Sequence, residues 1–273
     1  MEAIILSRRD VREYDQMITL YTRERGRVEL LARGVKKIVS KNASHLEPGV
    51  FALVESVSGK EMEHLTTAQA VEIFSGLRTD GEKLSAVQYA MFFVTRMTKD
   101  AVPDERLFFL LLDWLRFVER TPVWRGRLLD ALIANCLCVF GFAPRVADCV
   151  ICNQSRHAMV DKEFIDREKF GMYFAGGGLI CSPCREVKVR VGEDIYTCSL
   201  KEISNLDMLL TANWKAVLSY FLPPDEDDAL HALLYAFVVY HSEQYLVDWR
   251  KPWYDAFGMI RTVNNMNNNN ESL

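Results

Sequence analysis

The chain has 273 residues, 49% of them hydrophobic, with 33 Lys and Arg against 37 Asp and Glu for a formal charge of −4. That is enough apolar side chain for one large domain or two to three smaller ones, which excludes a disordered protein. No apolar run reaches the roughly 18 residues that a bilayer span needs; the longest candidate, Leu107 to Leu112, stops at Asp113. The opening Met1-Glu2-Ala3-Ile4-Ile5-Leu6 has neither a basic n-region nor a long apolar stretch, so it does not read as an export signal. Seven cysteines without such a signal predict a reducing, cytoplasmic compartment with free or metal-bound thiols.

Charge is uneven along the chain. Residues 1–41 hold ten basic side chains against six acidic ones, a surplus of four, so the remainder carries −8. This asymmetry reads equally as a basic module on an acidic body or as the solvated edge of a small barrel. The same stretch has the signature of β-structure. Val28, Leu30 and Ala32 alternate with Glu29, Leu31 and Arg33, and Arg23-Glu24-Arg25-Gly26 supplies a turn after the β-prone run Met17 to Thr22. Phe51 to Val54 and Met62 to Leu65 read as further strands, with Pro48-Gly49 before the first. Five short strands in about 75 residues predict a small barrel of OB-fold type, a fold that binds single strands in a positive groove with aromatic platforms. Tyr14 and Tyr21 lie among the basic residues, as suited to packing as to stacking.

From about Gly81 the period becomes helical. Leu107, Leu110, Leu111, Trp114, Leu115 and Val118 form one apolar stripe, and Leu129, Leu132, Ile133, Cys136 and Phe140 form another that closes at Gly141. Cys136 and Cys138 therefore read as packing residues. Cys149-Val-Ile-Cys152 and Cys181-Ser-Pro-Cys184 follow, separated by 28 residues. Two Cys-x2-Cys turns can present four thiolates to one structural zinc ion, and the competing reading is four buried, reduced cysteines. Between them Gly171 to Phe174 reads as a strand, and Gly176-Gly177-Gly178 lets the chain turn back. Val187 to Val191 alternates with Lys188 and Arg190 and reads as a strand or an exposed basic arm, and Cys198 reads as structural. Ser199-Leu-Lys-Glu202 is a capping box for a helix, and Pro223-Pro224 with the acids Asp225 to Asp228 opens another. The stripe of that last helix is Leu230, Leu233, Leu234, Phe237, Val238, His241 and Tyr245, which makes His241 a hydrogen-bonded core histidine. The Asn-rich tail from Asn264 reads as disordered.

The usual catalytic and nucleotide-binding signatures are missing. There is no Gly-x4-Gly-Lys-Ser/Thr loop, no Gly-x-Gly-x-x-Gly, no His-Glu-x-x-His and no His-x-Glu partner for Pro-Cys-x-x-Cys. Neither a nucleotide cofactor nor an enzyme is expected, and a closed four-thiolate shell leaves zinc no open position for water.

Several blocks in order resemble the bacterial recombination-mediator RecO family. They are Gly26 to Lys37, Leu46-Glu47-Pro48-Gly49, Leu65 to Gln69, Gly141-Phe142-Ala143-Pro144 before the first cysteine pair, and Gly177-Gly178-Leu179-Ile180 before the second. Asp248-Trp249-Arg250-Lys251-Pro252-Trp253 departs from the basic, Ser-containing patch with which that family's last helix usually ends. The resemblance implies an α+β multidomain chain: a five-stranded OB-fold barrel at 1–80, a helical domain at 81–144 and 192–255, a four-cysteine zinc knuckle inserted at 145–191, and a flexible tail at 256–273. It implies a DNA-repair mediator that binds single- and double-stranded DNA and anneals complementary strands without ATP. With RecR, such a protein helps RecA displace the single-strand-binding protein SSB, in the bacterial cytoplasm and with no membrane partner. The expected phosphate contacts are Arg8, Arg12, Arg25, Arg27, Arg33, Lys36, Lys37 and Lys41. The expected metal ligands are Cys149, Cys152, Cys181 and Cys184. Arg116, Arg120, Arg125 and Arg127 are close enough in sequence to flank a pocket for the SSB tail, or else face solvent. Two other readings remain: a zinc-containing nucleic-acid adaptor, and an interaction scaffold without annealing activity.

Overall fold

The computed structural model describes residues 1–37, 45–159, 170–242, 244 and 246–251. The expectations placed on Lys41, Tyr245, Pro252-Trp253 and the tail from Asn264 lie outside the described residues.

Five strands, β1 (Glu2–Asp10), β2 (Gln16–Thr22), β3 (Gly26–Ala32), β4 (Phe51–Ser58) and β5 (Glu63–Glu72), close into a barrel in the order β1-β2-β3-β5-β4. The β3–β5 pair is parallel and the others are antiparallel, which is the OB-fold arrangement. Alternation decides which side chains fill it: Ala3, Ile5, Ile18, Leu20, Val28, Leu30, Ala52 and Val54 point into the barrel. Ile4, Leu6, Tyr21 and Phe51 point out and join the core of the helical body instead. Both faces of the start of β1 are thus buried, which is why Ala3 to Leu6 reads as one apolar run rather than as an alternating strand.

The β2–β3 turn welds the barrel to the body. Gly26 has φ +68, and a Cβ there would sit 2.2 Å from the Val102 carbonyl oxygen, so only glycine allows the approach. Next to it the Ala101 amide donates to the Arg27 carbonyl (2.9 Å), and the Asp104 amide donates to the Tyr21 hydroxyl (3.1 Å). The body consists of α1 (Gly81–Met97), α2 (Glu105–Arg120), α3 (Arg127–Phe140), α5 (Leu200–Leu209), α6 (Trp214–Ser219) and α7 (Pro224–Ser242). Asp80, Asp104 and Ser199 cap α1, α2 and α5, the last with the full capping box. The predicted stripes are the buried faces: Leu107, Leu111, Trp114, Leu115 and Val118 on α2, and Leu230, Leu233, Leu234, Phe237 and Val238 on α7.

The second cysteine-bearing region folds as a three-stranded sheet ordered β7-β6-β8, from β6 (Phe170–Tyr173), β7 (Gly178–Ile180) and β8 (Tyr196–Cys198), with α4 (Ser182–Arg190) beside it. The sheet therefore takes its third strand from beyond residue 191. Val187 to Val191 is neither strand nor arm. Cys181 stands at the N-cap position of α4 without a side-chain capping bond and Pro183 occupies its first turn, so the chain leaving the second cysteine pair is wound as a helix. Its alternating valines are exposed rather than set on one side of a sheet.

Candidate nucleic-acid interface and metal centre

Residues directly opposed across strands share a face of the sheet. Register sets Arg9 opposite Met17, Met17 opposite Leu31, Leu31 opposite His64, and His64 opposite Val57. Their neighbours Ile18, Leu30 and Leu65 are barrel core, so this row crosses the outside of the barrel. At its centre a cavity of about 370 Å³ is lined by Arg12, Leu31, Arg33, Lys60, Glu61, Met62 and His64. The Lys37 ammonium stands 5.7 Å from the centre of the half-exposed Tyr14 ring, which follows Arg12 in the β1–β2 turn.

Of the eight basic residues expected at the interface, Lys41 lies outside the described residues and the other seven divide into two groups. Arg12 and Arg33 line the cavity, and Lys37 has no carboxylate partner among the described residues. Arg12 has only a loose pairing with Asp15 at 3.9 Å. Four others are already matched: Arg8 to Glu47 (2.6 Å), Lys36 to Asp10 (2.7 Å), Arg25 to Glu63 (2.8 Å) and Arg27 to Asp100 (2.7 Å). Arg25 grips Glu63 through both guanidinium nitrogens. With a second bond from Ser56, this holds the Glu63 carboxyl at about 2. Tyr21 is buried and bonded to Asp104, so it packs rather than stacks.

Reading the first 41 residues for charge misses Lys60 and His64. Barrel closure, not chain proximity, brings the β4–β5 turn against Arg12 and Arg33. The turn itself is legible as the break between two predicted strands.

The four arginines expected to flank one pocket do not converge. Arg116 and Arg120 line a cavity of about 570 Å³ with Phe117, Trp214, Glu72 and Asp113. Arg116 is bonded to Glu72 there, and Trp214 Nε1 donates to Asp113 (2.7 Å). Arg125 lines a different recess, beside Trp124 and Trp249. Arg127 starts α3 facing inward and is buried toward Asp227. The break between α2 and α3 turns the chain through the protein surface, which separates residues that are close in sequence.

The second cluster is sulfur. The Sγ atoms of Cys149, Cys152, Cys181 and Cys184 all lie within 4.8 Å of one another, and Cys152 and Cys181 are 3.7 Å apart. A tetrahedron of thiolates about 2.3 Å from a zinc ion has sulfurs about 3.8 Å apart. The donor set thus fits a metal ion. Local backbone builds each half. Asn153 donates to the Cys149 carbonyl (2.9 Å), and Arg185 to that of Cys181 (2.8 Å), closing the two knuckles. Gly178 sits where a Cβ would be 2.2 Å from the Arg145 carbonyl oxygen, which lets the two halves approach. Burial works against ionising Cys149, but amides of Cys152, Cys181 and Ile151 aimed at it bring its thiol down to about 7. Burial and the adjacent sulfurs push Cys184 up. A bound cation is what would let all four ionise together. Cys198 lies outside the cluster, and burial pushes its thiol up to about 12.

A third polar cluster has no signature in the sequence. Asp130 on α3 has no exposed surface and accepts from His231 Nδ1 (3.0 Å), Trp249 Nε1 (2.6 Å) and Arg250. His231 Nε2 faces Asp248 at 2.8 Å, and Arg250 also bonds Asp227 (2.8 Å). His231 on α7 thus meets two carboxylates, while the expected core histidine His241 is hydrogen-bonded to the Phe174 backbone. His241 packs on Phe237 with ring centres 4.3 Å apart, and burial lowers its pKa.

Comparison with known proteins agrees with this architecture. The family models described as Recombination protein O N terminal and Recombination protein O C terminal match residues 1–74 and 78–250. The chain belongs to the RecO family. Its relatives include the DNA repair protein RecO of a Nocardioides species, 30% identical over 188 residues covering 67% of this chain and 73% of that one. The DNA repair protein RecO of Geobacter metallireducens is 29% identical over 194 residues, 71% of this chain and 75% of that one. That of Moorella thermoacetica is 26% identical over 250 residues, 90% of this chain and 86% of that one. As a RecO family member the chain is a DNA repair protein. Among the described residues no helix is long and apolar enough to cross a membrane.

Proposed function

We propose that this RecO family chain is a recombination mediator that holds DNA by its phosphates on the outer face of the barrel, anneals complementary strands without ATP, and acts with RecR to help RecA load onto SSB-coated single strands. It does so without chemistry of its own. The observation that carries this reading is the grouping of Arg12, Arg33 and Lys60 around one cavity, with Lys37 over Tyr14 nearby. Phosphate-directed cations with an apolar floor neutralise a strand without gripping particular bases, so two strands can be held close and still slide into register. Arg8, Arg25, Arg27 and Lys36 are secondary contacts at most, since each would first have to leave a carboxylate.

In this reading one zinc ion fills the four-cysteine site and ties the three-stranded sheet to α4, a structural role with no open coordination position. The SSB tail docks in the cavity at Arg116 and Arg120, where the half-buried Phe117 offers apolar surface beside the exposed Arg120.

The test is annealing of two complementary fluorescent oligonucleotides, one coated with its cognate SSB, without ATP. The intact chain is compared with a variant carrying R12A, R33A, K37A and K60A. Fast annealing that the four changes abolish is the expected result. Annealing no faster than the spontaneous rate would make the scaffold reading the better one, and normal annealing by the variant would move DNA off this face.

A further inference from the structure

We propose that the barrel cavity is a proton-linked phosphate seat: a DNA phosphodiester entering it bonds to Arg12, Arg33 and Lys60 and draws a proton onto His64. The inference rests on the DNA-binding reading of the barrel face and adds how that site is regulated.

His64 stands on β5 with its Nε2 3.5 Å from Arg33 Nη2. A guanidinium only donates, so Nε2 faces Arg33 as an acceptor and the ring proton belongs on Nδ1. Nδ1 is buried and has no hydrogen-bond partner among the described residues. One ring nitrogen is thus left without such a partner beside the cavity. The ring is also confined. A Cβ at Gly59 would lie 2.6 Å from both Cδ2 and Nε2 of His64, so the β4–β5 turn passes directly over the edge that faces the cavity.

The charges facing His64 come from each surrounding element. Arg12 lies in the β1–β2 turn, Arg33 follows β3, and Lys60 and Glu61 are in the β4–β5 turn; Val57, opposite on β4, does not titrate. Three cations and one carboxylate thus share the cavity with the ring. A bound phosphate changes that balance. Arg33 then donates to the anion, which frees Nε2, and a protonated Nε2 donates to the same anion. The proton comes from solvent and stays on the ring, so binding consumes protons. The sign follows from linkage: a group that binds its proton more tightly in the complex strengthens binding at pH values below its free-state titration. That gain is lost as pH rises through the titration of the complex. Histidine titrates in the range where such coupling is readable, between about pH 5 and 8.

The experiment measures affinity of the full chain for fluorescent oligo-dT between about pH 5.5 and 8.0 at constant ionic strength. It uses the intact chain, H64Q, and the triple change R12A, R33A and K60A. The expected result is tightening by up to about tenfold toward low pH in the intact chain, the size that one pK unit of coupling gives. H64Q gives a nearly flat profile, whatever its affinity at the alkaline end. Equal pH slopes for the intact chain and H64Q would overturn the inference even if the triple variant fails to bind, which leaves the barrel reading in place. Full binding by the triple variant would overturn both. The histidine NMR resonances give an independent check: the signal absent from H64Q should move toward its protonated position when oligo-dT is added near neutral pH.

Discussion

A carboxylate cut off from water survives ionised only where donors replace its hydration, and Asp130 has three of them in His231, Trp249 and Arg250. Burial pushes its carboxyl up, but the bond from His231 and the charge of Arg250 more than offset that, and the net direction is down. D130A leaves two cationic groups buried without it, so a loss of about 3–5 kcal/mol is expected in urea unfolding. His231 runs the other way. Burial lowers its pKa, the Asp130 and Asp248 carboxylates raise it, and the net direction is up. Its contribution is therefore complete below the ordinary histidine range and lost as pH rises through the folded-state value. Urea midpoints from about pH 6 to about pH 9 should fall for the intact chain by more than for H231Q. A parallel fall in both would assign the loss elsewhere. Gly26 belongs to the same scale. G26A must relieve a contact of 2.2 Å with the Val102 carbonyl oxygen at positive φ, and a loss of at least about 1–3 kcal/mol is expected in the same assay.

At the scale of elements, the knuckle sheet illustrates a small fold that leans on its sulfurs. β7 and β8 are three residues each, and α4 buries none of its side chains. Strands this short hold little on their own. With one sulfur removed, the site cannot close. If zinc fills the site as proposed, C149S should lose its stoichiometric metal, measured on the purified protein, and about 3 kcal/mol or more of stability. A variant that unfolds at the intact protein's temperature with no metal would show that packing alone holds the sheet.

For the whole molecule, the important fact is that one continuous core takes in the outward residues of β1, β2 and β4, the helices, and the knuckle sheet. The barrel has its own interior but shares its back with the body. Barrel and body should therefore unfold together. Tryptophan fluorescence, which does not report on the barrel strands because no tryptophan precedes Trp114, should track the loss of total β-sheet signal in one transition. Two separated midpoints would refute the shared core. The proposed DNA face has a whole-molecule signature too. If Arg12, Arg33, Lys37 and Lys60 each neutralise one phosphate of a single strand, log affinity should fall with log salt at a slope of about −3. A flat response would remove phosphate contacts as the source of binding.

Periodicity and local chemistry determined a great deal by themselves. The stripes of α2, α3 and α7, the capping box at Ser199, the turn at Arg23 to Gly26 and the two cysteine pairs are all contained in a few consecutive residues, so the linear chain displays them. The OB-type barrel could be inferred from strand number and turns for the same reason. What the tertiary structure alone decided is which charges remain free. Arg25 and Arg27 look no different in sequence from Arg12 and Arg33, yet Glu63 and Asp100, 38 and 73 residues away, neutralise the first pair. Lys60 and His64 join the second pair only because β5 closes the barrel against β3. Likewise Asp248, Trp249 and Arg250 read as a departure from a surface patch until α3 and α7 meet around Asp130. Electrostatic neutralisation acts through space over a few ångströms, and the chain order of its partners carries almost no trace of it.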